Sequence, residues 1–112
     1  VIEAAERRRT PRAEVAWTVI VRTSRGEVHA HARDVSADGI SIVCEEPLLL
    51  DKELRMYIKP PDRGRIDVTG KVVWSDLYGI DENEATVAMG LCFVRISDQD
   101  RLFFEELVRA AS

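Results

Sequence analysis

Val15-Ala16-Trp17-Thr18-Val19-Ile20-Val21-Arg22 sets the fold class, because here the chain takes up a period of two. Val15, Trp17, Val19 and Val21 fall on one face, and Ala16, Thr18, Ile20 and Arg22 on the other. β-Branched and aromatic residues in alternation read as a half-buried strand. Ser24-Arg25-Gly26 reads as a tight turn, and residues 27–33 resume the strand pattern, so 14–33 is expected to form a hairpin. Ahead of it, residues 1–12 are charged and weakly patterned, with Pro11 opposing a helix through them. They read as a flexible arginine-rich arm, 1–12, on a domain of residues 13–112.

Further along, Asp34-Val35-Ser36-Ala37-Asp38-Gly39 reads as a turn, with Gly39 expected to take a backbone conformation that a side chain resists. Strands are expected at 40–44, 53–59, 65–75 and 87–95. Residues 45–51 read as a loop, Pro60-Pro61 ends the fourth strand, and the polar stretch 76–86 reads as the longest loop. Ser97-Asp98 resembles a helix start, and Leu102, Phe103, Leu107 and Val108 recur at helical spacing within 99–110. Six short strands with regular turn signals point to a small antiparallel barrel, with the helix covering one open end or side.

Size and charge narrow the function. A chain of 112 residues with 46% hydrophobic content is long enough for one domain with its own core. No apolar run approaches the roughly 20 residues that span a bilayer, so no membrane insertion is expected. Val1-Ile2-Glu3-Ala4-Ala5-Glu6 lacks the apolar centre of a secretory leader, and the expected compartment is the cytoplasm. Cys44 and Cys92 sit in apolar strand patterns without metal-ligand spacing, and read as buried small hydrophobes in a reducing compartment. The net charge is −4, yet four of the 16 Lys and Arg residues lie between Arg7 and Arg12. A concentrated cationic patch on an acidic body suits a small, multiply charged ligand better than a nucleic acid.

The residue types in the two motifs suggest which ligand. Guanidiniums offer planar forked donors for phosphates and for the acceptor edge of guanine, and they stack on flat rings. A carboxylate accepts from the donor edge of guanine. The run Arg7-Arg8-Arg9-Thr10-Pro11-Arg12 with Asp34-Val35-Ser36-Ala37-Asp38-Gly39 therefore suggests a site for a guanine nucleotide with exposed phosphates. Alone, the arginine run also reads as a solvated basic tail, and the second motif as an ordinary polar turn. His29 and His31 alternate without a third ligand and read as surface imidazoles, so no metal site is expected. Trp17 and Trp74 read as core or barrel-rim packing. No Gly-x-Ser-x-Gly or Gly-rich phosphate loop is present, and an enzyme is not expected.

Arg7-Arg8-x-x-x-Arg12 followed by Asp34-x-Ser36-x-x-Gly39 resembles the paired signature of PilZ domains, bacterial receptors for cyclic di-GMP. Gly70-Lys71-Val72-Val73-Trp74 and Met89-Gly90-Leu91-Cys92-Phe93-Val94 are similar to that family's late strands. The resemblance implies a mainly β fold, a six-stranded antiparallel β-barrel of the PilZ type with a C-terminal α-helix. It implies cyclic di-GMP as ligand, with no cofactor, and a downstream protein or fused domain as partner. It also implies that Arg7, ahead of the Arg8/Arg12 core, accompanies an intercalated ligand dimer. Some members of the family act instead as protein–protein adaptors without nucleotide, which is the alternative reading here.

Overall fold

A computed structural model describes residues 11–45, 48, 52–81 and 84–111, with 76–81 and 84–86 described by their backbone. The strands are β1 (Ala13–Thr23), β2 (Gly26–Val35), β3 (Gly39–Cys44), β4 (Glu53–Lys59), β5 (Ile66–Asp81) and β6 (Glu84–Arg95), followed by helix α1 (Asp98–Ala111). All neighbours pair antiparallel, and the strands close into a barrel in the order β1-β2-β3-β6-β5-β4. The fold is thus a six-stranded antiparallel barrel with one C-terminal helix. Closure leaves no edge strand among these six, so every strand has a partner on both sides.

Period-two alternation fills the interior. Val19 and Val21 from β1, Ile40 and Ile42 from β3, Met56 and Ile58 from β4, Val72 from β5 and Met89 from β6 are all fully buried. Thr23 and Gly26 pair across the β1–β2 hairpin, leaving Ser24 and Arg25 as its loop. The Thr23 hydroxyl accepts from the Arg25 amide at 3.1 Å and donates to the Gly26 carbonyl at 2.9 Å. Gly26 sits at φ 118°, a conformation that its missing Cβ permits. Cys44 is buried and Cys92 half-buried, with no disulfide among the described residues.

The structure differs from the sequence-based expectation at four places. Residues 76–81 and 84–86 are strand rather than loop: β5 and β6 run on paired, with Leu77 opposite Val87, Tyr78 opposite Thr86 and Asp81 opposite Glu84, while residues 82 and 83 lie outside the described residues. The polar composition of this stretch suggested a loop, but ladder hydrogen bonds depend on the backbone and the partner strand, not on side-chain polarity. Asp34 and Val35 belong to β2, so the turn is confined to residues 36–38. On the helix, Leu102 is exposed and Phe104 is the fully buried anchor, with Val108 one turn on. Phe104 stacks on Phe93, centroids 5.6 Å apart, and on Trp17 at 6.4 Å. The fourth difference, at Gly39, belongs to the candidate site.

The helix is tied down at its start. The Ser97 hydroxyl accepts from the Asp100 amide at 3.1 Å, and Asp98 and Asp100 complement the positive end of the helix dipole. Arg63 pairs with Asp100 at 2.5 Å and lies over the Phe103 ring, 4.4 Å from its centroid. Removing the cap with Ser97→Ala is expected to lower stability by about 1 kcal/mol, read as a reduced urea midpoint. An unchanged midpoint would mean that the cap is idle.

Candidate functional site

The site begins with a fault in β2. Ala30 and Ala32 point into the barrel, and strict alternation would send Asp34 inward too. Between Ala32 and Asp34 the register shifts against β3, so Arg33 is an extra residue at a β-bulge there, while β1 carries its own extra residue between Glu14 and Trp17. The bulge reverses the alternation. Val35 becomes the buried residue and Asp34 turns to the outer surface, its side chain 29% exposed. A carboxylate that would be costly inside the barrel is thereby presented to solvent.

Asp34 then joins a row across the outer wall. It lies opposite Glu14 on β1 and opposite Ser41 on β3. Ser41 lies opposite Gly90 on β6, and Gly90 opposite Trp74 on β5. Directly opposed residues of antiparallel strands face the same side. Arg12, just ahead of β1, crosses this row. Its Nε donates to Asp34 Oδ1 in a close ion pair, and its Nη2 donates to Ser41 Oγ at 3.4 Å. Among the described residues these are its hydrogen-bond partners, and a guanidinium has five N–H donors in all. A Cβ on Gly90 would fall 1.9 Å from Trp74 Nε1, so the indole lies directly against the glycine backbone. Trp74 is half-buried on the outer row, whereas Trp17 packs at the rim against α1.

The turn after β2 is built around Ser36. Its side chain is fully buried, and its hydroxyl accepts from the amides of Asp38 at 3.2 Å and Gly39 at 3.1 Å. The Ser36 amide donates to the Gly39 carbonyl at 2.9 Å. Gly39 does not take a left-handed backbone; among the described glycines only Gly26 does. Its constraint is proximity. A Cβ there would meet the Leu91 carbonyl oxygen at 2.3 Å and Cys92 Cα at 3.3 Å, because β3 enters the barrel tight against β6. β6 and the helix both brace the turn. The Phe93 amide donates to the Asp38 carbonyl at 2.8 Å, and Arg101 of α1 donates to the Ala37 carbonyl at 3.1 Å and to Asp38 Oδ1 at 3.3 Å.

Of the six residues singled out in the sequence, Arg12 and Asp34 are brought into contact, and Ser36 and Gly39 shape the turn beside them. Arg7 and Arg8 lie outside the described residues. Sequence reasoning missed Ser41, Trp74 and Arg101. No local signal marks them, since each enters through strand register or helix docking. His29 and His31 are both exposed, and among the described residues no three His, Cys, Asp or Glu side chains gather to hold a metal. Nor, among those residues, is any helix long and apolar enough to cross a membrane.

The architecture defines a class: a small closed barrel with a guanidinium–carboxylate pair on its outer wall, next to a turn braced by the C-terminal helix. A sequence model of the PilZ domain matches residues 6–110, and the chain belongs to the PilZ domain family. None of the curated proteins compared is significantly similar in sequence. Among solved structures, the PilZ domain with c-di-GMP of YcgR from Escherichia coli superposes with a TM-score of 0.76 at 13% identity, over 94% of this chain and 91% of that one. The Bacillus subtilis inhibitor of motility, MotI/DgrA, gives 0.72 at 19% identity, over 90% of this chain and 49% of its own. The Borreliella burgdorferi PlzA protein in complex with c-di-GMP gives 0.70 at 11%, over 97% and 54%. At these identities the likeness is one of fold. The chain spans about half the length of MotI/DgrA and of PlzA.

Proposed function

We propose that this domain is a receptor for cyclic di-GMP, bound on the outer row at Arg12 and Asp34. The observation that carries this reading is the Arg12–Asp34 pair held beside Ser41 and the Gly90–Trp74 contact. Asp34 accepts from N1–H and N2–H₂ of one guanine. Arg12 gives its fork to a phosphate or to the O6/N7 edge of guanine. Ser36 and Gly39 enter the site through the turn that sets the position of Asp34. Arg7 and Arg8 close over the ligand from the arm, as charged donors and stacking planes. That the PilZ domain of YcgR and PlzA were solved with c-di-GMP supports the choice of ligand.

The energetics favour exchange. The Arg12 and Asp34 side chains are 24% and 29% exposed, so their ion pair is worth only about 0–1 kcal/mol. Each charge-assisted bond to a ligand returns about 1.5–3 kcal/mol. Ordering the 1–12 arm opposes binding by roughly 1–2 kcal/mol per residue fixed. Several arginine contacts are therefore needed, which matches the density of arginines in that segment. The closed arm presents a new surface to a downstream protein or fused domain in the cytoplasm, without catalysis.

Calorimetric titration with cyclic di-GMP tests this. Saturable heat is expected, with two ligands per domain if Arg7 supports an intercalated dimer. No heat from folded protein at low salt would overturn the receptor reading in favour of a nucleotide-independent adaptor.

A further inference from the structure

A second concentration of arginine lies elsewhere on the barrel wall. Arg22 of β1 is directly opposite Arg55 of β4. Arg55 is opposite Thr69 of β5, and Thr69 is opposite Arg95 of β6. One row across four strands thus carries three guanidiniums and one hydroxyl. Its Arg22 end is remote from the nucleotide row, eight positions along β1 from Glu14, about 26 Å at about 3.3 Å per residue, and its Arg95 end lies five positions along β6 from Gly90, about 16 Å. Like charges placed directly opposite destabilise a sheet. Among the described residues, no carboxylate pairs with Arg55 or Arg95. All three arginines are exposed.

The row borders an open groove of about 430 Å³, lined among others by Arg55, Tyr57, Arg65, Thr69, Arg95 and Ser97. Tyr57 organises it. Its hydroxyl accepts from Arg22 Nη1 at 3.0 Å, and its ring carries the Arg65 guanidinium 4.1 Å from the centroid. Asp67 is the single carboxylate in the lining, and it pairs with Arg65 at 3.2 Å, both side chains being well exposed. The groove is therefore strongly cationic on a chain whose net charge is −4.

We propose that this groove docks a short acidic segment of a partner protein in extended conformation. Two inter-strand steps of about 4.8 Å place Arg55 roughly 10 Å from Arg95 along the wall. Three extended residues cover about that length at about 3.3 Å each. Carboxylates on such a segment meet planar forks that take them two oxygens at a time. A nucleic acid fits less well, because its charge continues beyond the row onto an acidic surface that repels it. The proposal is independent of the nucleotide site.

The test is fluorescence anisotropy with a labelled octaglutamate peptide and the full chain at low salt. Saturable binding is expected, weakened about tenfold or more in Arg55→Ala/Arg95→Ala. It should persist in Arg7→Ala/Arg8→Ala, which removes the competing basic arm. The first double variant should melt at or above the parent's temperature, since both residues are exposed and Arg22 no longer faces a like charge; if it melts lower, Arg95→Gln alone carries the comparison. Absent binding, or equal binding by parent and groove variants, would overturn the proposal. Tighter groove-dependent binding of a single-stranded octanucleotide would overturn the assignment to an acidic protein segment.

Discussion

Arg12→Ala is expected to weaken cyclic di-GMP binding by about a hundredfold or more while leaving the barrel intact. Two charge-assisted bonds at about 1.5–3 kcal/mol each amount to roughly 3–6 kcal/mol, and every 1.4 kcal/mol is about tenfold. Among the described residues, the same substitution removes from the unliganded protein a solvent-screened ion pair with Asp34 and a 3.4 Å contact to Ser41 Oγ. Stability should therefore fall by at most about 1 kcal/mol. Arg12→Lys should not restore affinity, because an ammonium has neither the fork nor the flat face. Asp34→Asn should behave like Arg12→Ala, since an amide cannot offer two acceptor oxygens to guanine. Paired calorimetry and urea denaturation separate the two effects. Parent-like affinity in Arg12→Ala or Asp34→Asn would remove these residues from the site. Arg8→Ala is expected to match Arg12→Ala through contacts made by the arm.

Gly39→Val is expected to do the reverse, destabilising the fold first. Its Cβ would fall 2.3 Å from the Leu91 carbonyl oxygen, and backbone cannot swing aside as a flexible side chain does. Relief requires β3 to part from β6, along a ladder running from Gly39–Cys92 to Cys44–Val87. Overpacking of this kind costs about 1–3 kcal/mol and sometimes more, which for a domain of this size is a large share of its stability. The expected readout is a melting temperature lowered by about 5–15 °C. Affinity should fall as well, because the displaced turn carries the hydrogen bonds of Ser36. A melting temperature equal to the parent's would show that β3 has room that the present geometry denies.

These two residues mark what reading the chain did and did not reach. Asp34 and Gly39 were legible as a carboxylate and a glycine flanking a turn. The reasons attached to them were not. From the sequence Gly39 reads as a special backbone conformation, whereas the constraint is a carbonyl on a strand more than fifty residues away in the chain. Asp34 reads as part of the turn, whereas it belongs to β2 and reaches solvent because Arg33 bulges. The segment 76–86 shows the same limit from the other side. Its polarity is plain, but pairing depends on β5 and β6 reaching each other, and residues 76–81 pair with 84–88. On α1, periodicity located the helix correctly but included Leu102 and passed over Phe104, since the buried face is decided by where Phe93 and Trp17 wait for it.

Residue chemistry and short-range period were therefore enough to indicate the strands and the closing helix, and the resemblance of two motifs pointed to the family that the sequence model shows. Tertiary structure alone decided which side chains share a surface: Asp34 with Arg12 and Ser41, Gly90 beneath Trp74, and Arg22 beside Arg55 and in one row with Arg95. The physical reason is that alternation along a strand is local, whereas register across strands is not. One extra residue at Arg33 reverses every facing beyond it, and only the assembled barrel shows which way it went.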